Sequence, residues 1–368
     1  MKHAVLTALV ALLVAAASLS PSAQKLPQAP QFALDPNWPT VPNNWVLGEV
    51  TSISVDPRDH IWVLHVPQSI PEAQRANAAP PVLEFDTAGK LLSSWGGPGT
   101  GTWLGREHGI FADAKGFIWL GGRAGWPRAT TPGVSDDMIL KFTRTGQLVM
   151  QIGRSGQSKG GADTENVHQP TDVFVDTDAK EVYAADGYGN KRVIVFDSET
   201  GAFKRMWGAF GNPPPTVLAA NAATPQPQTT PDGPPEFGLP HAIKVSRDGI
   251  VYVADRINNR IQLFTTAGQF KKQVRVTSDG STVVPVPAGF AFSPDRKQQF
   301  LYVVDSGLMR IVIFDRETMT QIGALGAKGS KPGEFDIVHH MAADSKGNLY
   351  TAEIVNQRRA QRFVLQKK

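Results

Sequence analysis

The chain has 368 residues, with 37 Lys and Arg against 33 Asp and Glu, 8 His and no Cys. A formal charge of +4 is small for this length, and no long basic run occurs; nucleic acid, which is held by clustered Lys and Arg, is not the expected partner. The lack of cysteine excludes disulfides, a lipid-bearing cysteine and thiolate metal ligands.

The chain opens with a short basic start (Lys2, His3), an apolar run from Ala4 to Ala17 and then small residues. Residues 1–23 therefore read as a signal peptide, since the run is shorter than the roughly 20 apolar residues of a membrane span. The expected address is secreted, in a periplasm, with no membrane attachment once the signal is removed. After Gln31 one sentence recurs: an alternating apolar strand, a turn with Asp or Gly, a second strand ending in Asp, then R-I-x-x-F and a last strand. It starts at TSISVD, HGIFAD, TDVFVD, HAIKVS, AGFAFS and HHMAAD. Four short β-rich runs per repeat of roughly 40 residues are the signature of a propeller blade. The predicted fold is all-β, a six-bladed β-propeller of NHL-type repeats forming a single domain over 31–366. The last copy lacks a clear fourth strand, and the segment near Gln31–Asp35 is expected to supply it and close the ring. Insertions at 67–81, 123–137 and 212–237 exceed the minimal blade and are expected on the face where the innermost strands begin.

Three histidines share one repeat position in alternate copies. His108, His241 and His339 each stand five residues before the last position of the innermost strand motif, where the intervening copies carry Thr51, Thr171 and Ala288. In a closed ring of six, alternate blades are related by a threefold axis, so the three imidazoles converge. Three neutral imidazoles with a fourth position open suit catalytic Zn²⁺, although imidazole also serves Cu, Ni or Fe. His168 falls outside the column and reads as a loop histidine, and His60 reads as a turn residue. His65 is placed to reach the channel mouth, and His340 is expected to face away from His339, because neighbours in a strand alternate. Tyr188, in ADGYGNKR, follows the second strand of the third copy, and Arg256, in VADRINNR, takes the equivalent place in the fourth. Both strings also suit ordinary turns. A phenol beside a cation can act as a base, and a guanidinium can clamp a carboxylate. Arg192 and Arg260 recur with the repeat and read as structural.

At QPTDVFVD with ADGYGNKRVIVF, LPHAIKV with VADRINNRIQLF, and FDIVHHMAADSKGNLY, the chain resembles the NHL-repeat propellers and, within them, the peptidyl-α-hydroxyglycine α-amidating lyases. The resemblance runs over most of the chain. It implies a zinc held by His108, His241 and His339, a catalytic tyrosine at Tyr188 and an active-site arginine at Arg256. The implied reaction is that of a carbon–nitrogen lyase, which cleaves a C-terminal α-hydroxyglycine to a peptide amide and glyoxylate. The expected partner is thus a small molecule or a peptide C-terminus, met by a monomer. Two departures stand out. The family's second arginine follows a histidine at the end of the first copy's second strand, where Val66 follows His65 here; Arg75, Arg123 or Arg128 would have to replace it from a loop. The carboxylate that holds a structural calcium in the family falls at His340, which speaks against Ca²⁺. Two other function classes fit the same chain: a non-catalytic propeller module binding a protein or glycan, and a metal-dependent hydrolase of lactonase type.

Overall fold

Each repeat folds as a four-stranded antiparallel sheet, and six such sheets make up the computed structural model, which describes residues 26–124, 135–216 and 232–366. The innermost strands are Glu49–Val55, Glu107–Ala112, Asp172–Asp176, Pro240–Val245, Pro287–Phe292 and Val338–Ala343 in blades one to six. Blade six runs outward through Leu349–Glu353 and Ala360–Leu365, and its outermost strand is Phe32–Asp35 from the other end of the chain. The register pairs Phe32 with Leu365 and Asp35 with Arg362, so first and last segments zip the ring shut. This is the strand expected near Gln31–Asp35. The segment 1–23, Arg128 and much of the long insertions lie outside the described residues. Among the described residues no helix is long and apolar enough to cross a membrane.

The repeat motif has a local cause. In four blades an acid closes the inner strand and organises the hairpin that follows: the Asp113 carboxylate accepts hydrogen bonds from the backbone N–H of Lys115 and Phe117, each at 2.9 Å, and from Trp119 Nε1 at 2.9 Å. Asp344 does the same with Lys346 N, Asn348 N and the Tyr350 hydroxyl. Packing then joins neighbours in pairs. Trp62 and Leu64 of blade one pack with Ile110 and Leu120 of blade two, and so on round to Tyr350 and Ala352 of blade six against Val50 and Ile53 of blade one. No blade buries both faces alone, so burial at about 25 cal/mol per Å2 is realised only between neighbours.

A second device repeats in blades three to six. The acid ending the second strand pairs with the arginine opening the third: Asp186–Arg192 at 2.9 Å, Asp255–Arg260 at 2.8 Å, Asp305–Arg310 at 3.1 Å and Glu353–Arg359 at 2.7 Å. The carboxylate's other oxygen accepts from backbone N–H just before the inner strand, as Asp186 does from His168 and Asp255 from Gly238. Arg192 and Arg260 are fully buried and saturated by carbonyls and carboxylate, as structural residues should be. Blades one and two lack the pair, ending at Val66 and Gly122. In blade two Asp136 substitutes from the insertion: its carboxylate occupies the space a Cβ at Gly122 would need and binds Gly105 N, Arg106 N and Ala124 N at 2.7–3.0 Å.

Candidate metal centre and its rim

The column position coincides with a break in strand register. In five blades the pairing of inner and second strands skips one residue: Thr51, His108, His241, Ala288 and His339. A bulge of this kind re-aims the extra side chain, here toward the axis. The three histidine rings come together with centroids 5.2 Å (His108–His241), 4.8 Å (His108–His339) and 4.7 Å (His241–His339) apart. All three are buried, and one ring nitrogen of each lies within 4.8 Å of the others.

The intervening column residues supply the latches. His108 Nδ1 donates to Thr171 O at 2.8 Å, His241 Nδ1 to Ala288 O at 2.7 Å and His339 Nδ1 to Thr51 O at 2.6 Å. Each histidine therefore reaches the carbonyl of the column residue one blade on. A carbonyl can only accept, so each ring carries its proton on Nδ1 and turns the Nε2 lone pair inward. Burial holds all three imidazoles well below their usual pKa of 6.5, and mutual repulsion with one another and with Arg123 or Arg256 adds to it. They are neutral, oriented donors, and His241 Nε2 is buried with no hydrogen-bond partner. Those properties fit a divalent ion, with backbone carbonyls as the outer partners that fix tautomer and ring angle.

Tyr188 stands beside this centre. Its hydroxyl is 3.1 Å from His108 Nε2, and since Nδ1 holds the ring proton, the phenol donates. The turn that presents it needs its glycines: a Cβ at Gly187 would meet Pro240 O at 2.1 Å, and one at Gly189 would meet the His168 ring at 2.1 Å. His168 thus acts as a packing surface under the tyrosine turn. Arg123 lies over the Tyr188 ring, its Cζ 5.6 Å from the centroid. Of the three loop arginines considered from sequence, Arg123 comes to the tyrosine; Arg75 instead bonds Ile70 O. Arg256 approaches closely enough to depress both His241 and His339. It is not the repeat equivalent of Tyr188: Asp186 and Asp255 occupy matching positions opposite Arg192 and Arg260, so Arg256 aligns with Gly187.

Two histidine expectations fail. His340 does not turn away from the site: its ring is 4.8 Å from His339 and 5.3 Å from His241. The bulge at His339 breaks the two-residue alternation on which that expectation rested. His340 is buried and lowered to about 3, by burial first and then by Lys244 and Arg256. A neutral imidazole among cations does not fit Ca²⁺, which takes oxygen ligands. His65 does not reach the channel. It is a core residue of blade one, accepting from Gly48 N at 3.1 Å and donating to Pro80 O at 3.0 Å. His60 belongs to a second acid–histidine group, Asp56, His60 and Glu84, already filled by the guanidinium of Arg144.

No protein-family profile matches the chain. NHL repeat-containing protein 3 of Mus musculus is 25% identical over 333 residues, covering 88% of this chain and 82% of that protein. Peptidyl-alpha-hydroxyglycine alpha-amidating lyase 1 of Drosophila melanogaster is 23% identical over 356 residues, 89% of this chain and 58% of the relative. A probable lyase of the same name from Caenorhabditis elegans is 31% identical over 160 residues, 43% of this chain and 36% of the relative. A streptogramin B lyase structure superposes with a TM-score of 0.53 at 12% identity, covering 91% of this chain and 98% of that one, and shares the fold. The chain is a six-bladed β-propeller with homologues among both the NHL repeat-containing proteins and the peptidyl-α-hydroxyglycine α-amidating lyases.

Proposed function

We propose that the protein is a zinc-dependent lyase that cleaves the N–C bond of a carbinolamide, an N-acyl-α-hydroxyglycine, to an amide and glyoxylate. The observation that carries this reading is the set of three Nδ1-latched, neutral histidines with a phenol 3.1 Å from one of their donor nitrogens. When bound, a divalent ion at these three nitrogens supplies Lewis acidity toward the substrate oxygen. Tyr188, as phenolate, would take the hydroxyl proton as the C–N bond breaks and the C=O bond forms, and would pass that proton to the departing nitrogen. No electrons are exchanged. Arg256 holds the substrate carboxylate. The reading includes export as a monomer after removal of residues 1–23, and N-terminal sequencing of the periplasmic protein tests that part.

Glyoxylate release from α-hydroxyhippurate by the zinc-loaded protein tests the chemistry. Tyr188→Phe should lower kcat at least about a hundredfold while retaining zinc, the usual scale for loss of a general base. A wild-type protein that binds no metal, or releases no glyoxylate, would refute the lyase. Metal without turnover would favour the binding-module reading, which the likeness to NHL repeat-containing protein 3 supports. The lactonase reading is weaker, because the donors here are imidazoles rather than carboxylates.

A further inference from the structure

Between blades four and five a groove of about 1290 Å3 opens. Its walls include the turns after first and third strands, at 246–249, 293–299 and 316–319. The column histidines enter with the first strands, and Tyr188 sits in a turn after a second strand. Antiparallel pairing therefore puts the groove on the face opposite the candidate metal centre. It exceeds the roughly 300–1,000 Å3 of a small-molecule pocket, so a stretch of polymer suits it better.

Charge in the groove is unbalanced. Arg247, Lys271, Lys272, Arg296 and Lys297 line it, all exposed, and none forms an ion pair among the described residues. Arg247 and Lys272 reach only main-chain carbonyls. The groove's acids are mostly committed to the chain itself. Asp248 is paired with Arg316 at 2.9 Å, and Asp295 accepts from Lys297 N at 3.0 Å and Gln299 N at 3.1 Å. Asp315 accepts from Thr318 N at 2.9 Å, which leaves Glu317 as the acid with no partner among the described residues. In the equivalent gap between blades two and three the cations are neutralised in place: Lys115 and Lys180 both meet Glu199. The floor beneath the cations is apolar, made by Ile250, Leu263 and Met319.

We propose that this groove docks an acidic polypeptide segment in which carboxylates alternate with apolar side chains. The carboxylates meet Lys271 and Lys272 on the blade four side and Arg296 and Lys297 on the blade five side, while the apolar groups reach the floor. A flat bilayer would touch the rim and miss the floor, and a sulfated glycan would leave the floor unfilled. A partner held here leaves the mouth of the channel on the other face open. The inference is independent of the lyase reading.

Fluorescence anisotropy of the whole protein with a short labelled peptide of alternating Glu and Leu tests this. Binding should weaken with rising salt and be absent for the alternating Lys–Leu peptide. An alternating Glu–Ser peptide should bind at least about fivefold more weakly, because it leaves the floor empty. The double variants Lys271→Ser with Lys272→Ser, and Arg296→Ser with Lys297→Ser, should each weaken the Glu–Leu peptide about tenfold, two exposed ion pairs at a few-fold apiece. Lys346→Ser, on the same face in blade six, should leave it unchanged. Failure of the Glu–Leu peptide to bind, or full affinity in both double variants, overturns the proposal. Capture of a heparin oligosaccharide or of phosphatidylglycerol vesicles in place of the peptide overturns the choice of partner. Should a double variant prove unstable, acetylation of wild-type lysines decides the matter. The peptide should shield Lys271 and Lys297 and leave Lys346 reactive, and equal reactivity with and without peptide overturns the docking site.

Discussion

Metal binding at this centre should release almost no protons, even in mild acid. An exposed histidine with the ordinary pKa of 6.5 is about three-quarters protonated at pH 6.0, so three of them loading a cation would expel about 2.3 protons. Here burial, mutual repulsion and the nearby arginines hold His108, His241 and His339 well below 6.5, and each Nδ1 proton is engaged by a carbonyl that the metal leaves untouched. The expected release at pH 6.0 is therefore near zero, and affinity should stay flat between about pH 7.5 and 6. Titration of zinc into the apoprotein in two buffers of different ionisation enthalpy measures it, since each released proton adds one buffer enthalpy to the observed heat. Tyr188 contributes a separate term, because its hydroxyl proton points at the nitrogen that the ion would occupy. The decisive measurement is thus made in Tyr188→Phe. Release of two or more protons in that variant would show that the imidazoles are charged in the free protein, and the account of a preorganised neutral site would be wrong.

Three further outcomes follow from buried groups. Glu107 is fully buried, and burial first, then Asp136, raises it from 4.5 to about 7 against the opposing pull of Trp103 and Arg106. Its folded-state pKa lies above the unfolded one, so its stabilising protonation is complete below about pH 4.5 and lost as pH rises through 7. Glu107→Gln should gain up to about 3 kcal/mol relative to wild type between pH 4.5 and 8, read by urea denaturation, and a flat difference would count against it. His65 is lowered by burial to about 4 despite its carbonyl partners. Stability from its neutral form is complete above 6.5 and lost as pH falls toward 4. The cost of His65→Asn should therefore shrink by about 2 kcal/mol between pH 7.5 and 5.0, and a constant cost would argue that His65 is already charged at neutrality. Arg192→Ala strands the buried Asp186 and three carbonyls. It should cost about 3–5 kcal/mol in thermal or chemical unfolding, with zinc stoichiometry unchanged in the folded protein.

Much of this was legible in the amino-acid sequence because a repeat converts spacing into position. The period of the motif announced the blades, and alternation of His with Thr or Ala announced the threefold cluster before any coordinate. The latches were hidden for a physical reason: the acceptors at Thr51, Thr171 and Ala288 are main-chain carbonyls, which no side chain advertises. Their positions were nonetheless in view, since they are the same column in the intervening copies. His340 was misread because alternation holds only in an unbroken strand, and the bulge that aims His339 at the axis also redirects its neighbour. Arg123 was obscured because Gly122 replaces the acid that marks the end of the second strand in later blades. Its partner in that role, Asp136, comes from the far end of the insertion. Aligning Gly122-Arg123 with Asp255-Arg256 recovers its place in the repeat.

The carbonyl latches also constrain how such a chain can change. Each donor ring is completed by the blade after it, so the unit of the centre is a pair of blades, and the last pair joins His339 to Thr51 across a separation of 288 residues. Losing or gaining a single blade would put two histidine-bearing copies, or two acceptor copies, side by side and break the alternation; only changes by twos preserve it. The centre also cannot exist in an open ring or a truncated chain, because its third ring takes its orientation from the first blade. Occupancy by a metal would therefore report that the two ends of the molecule have met.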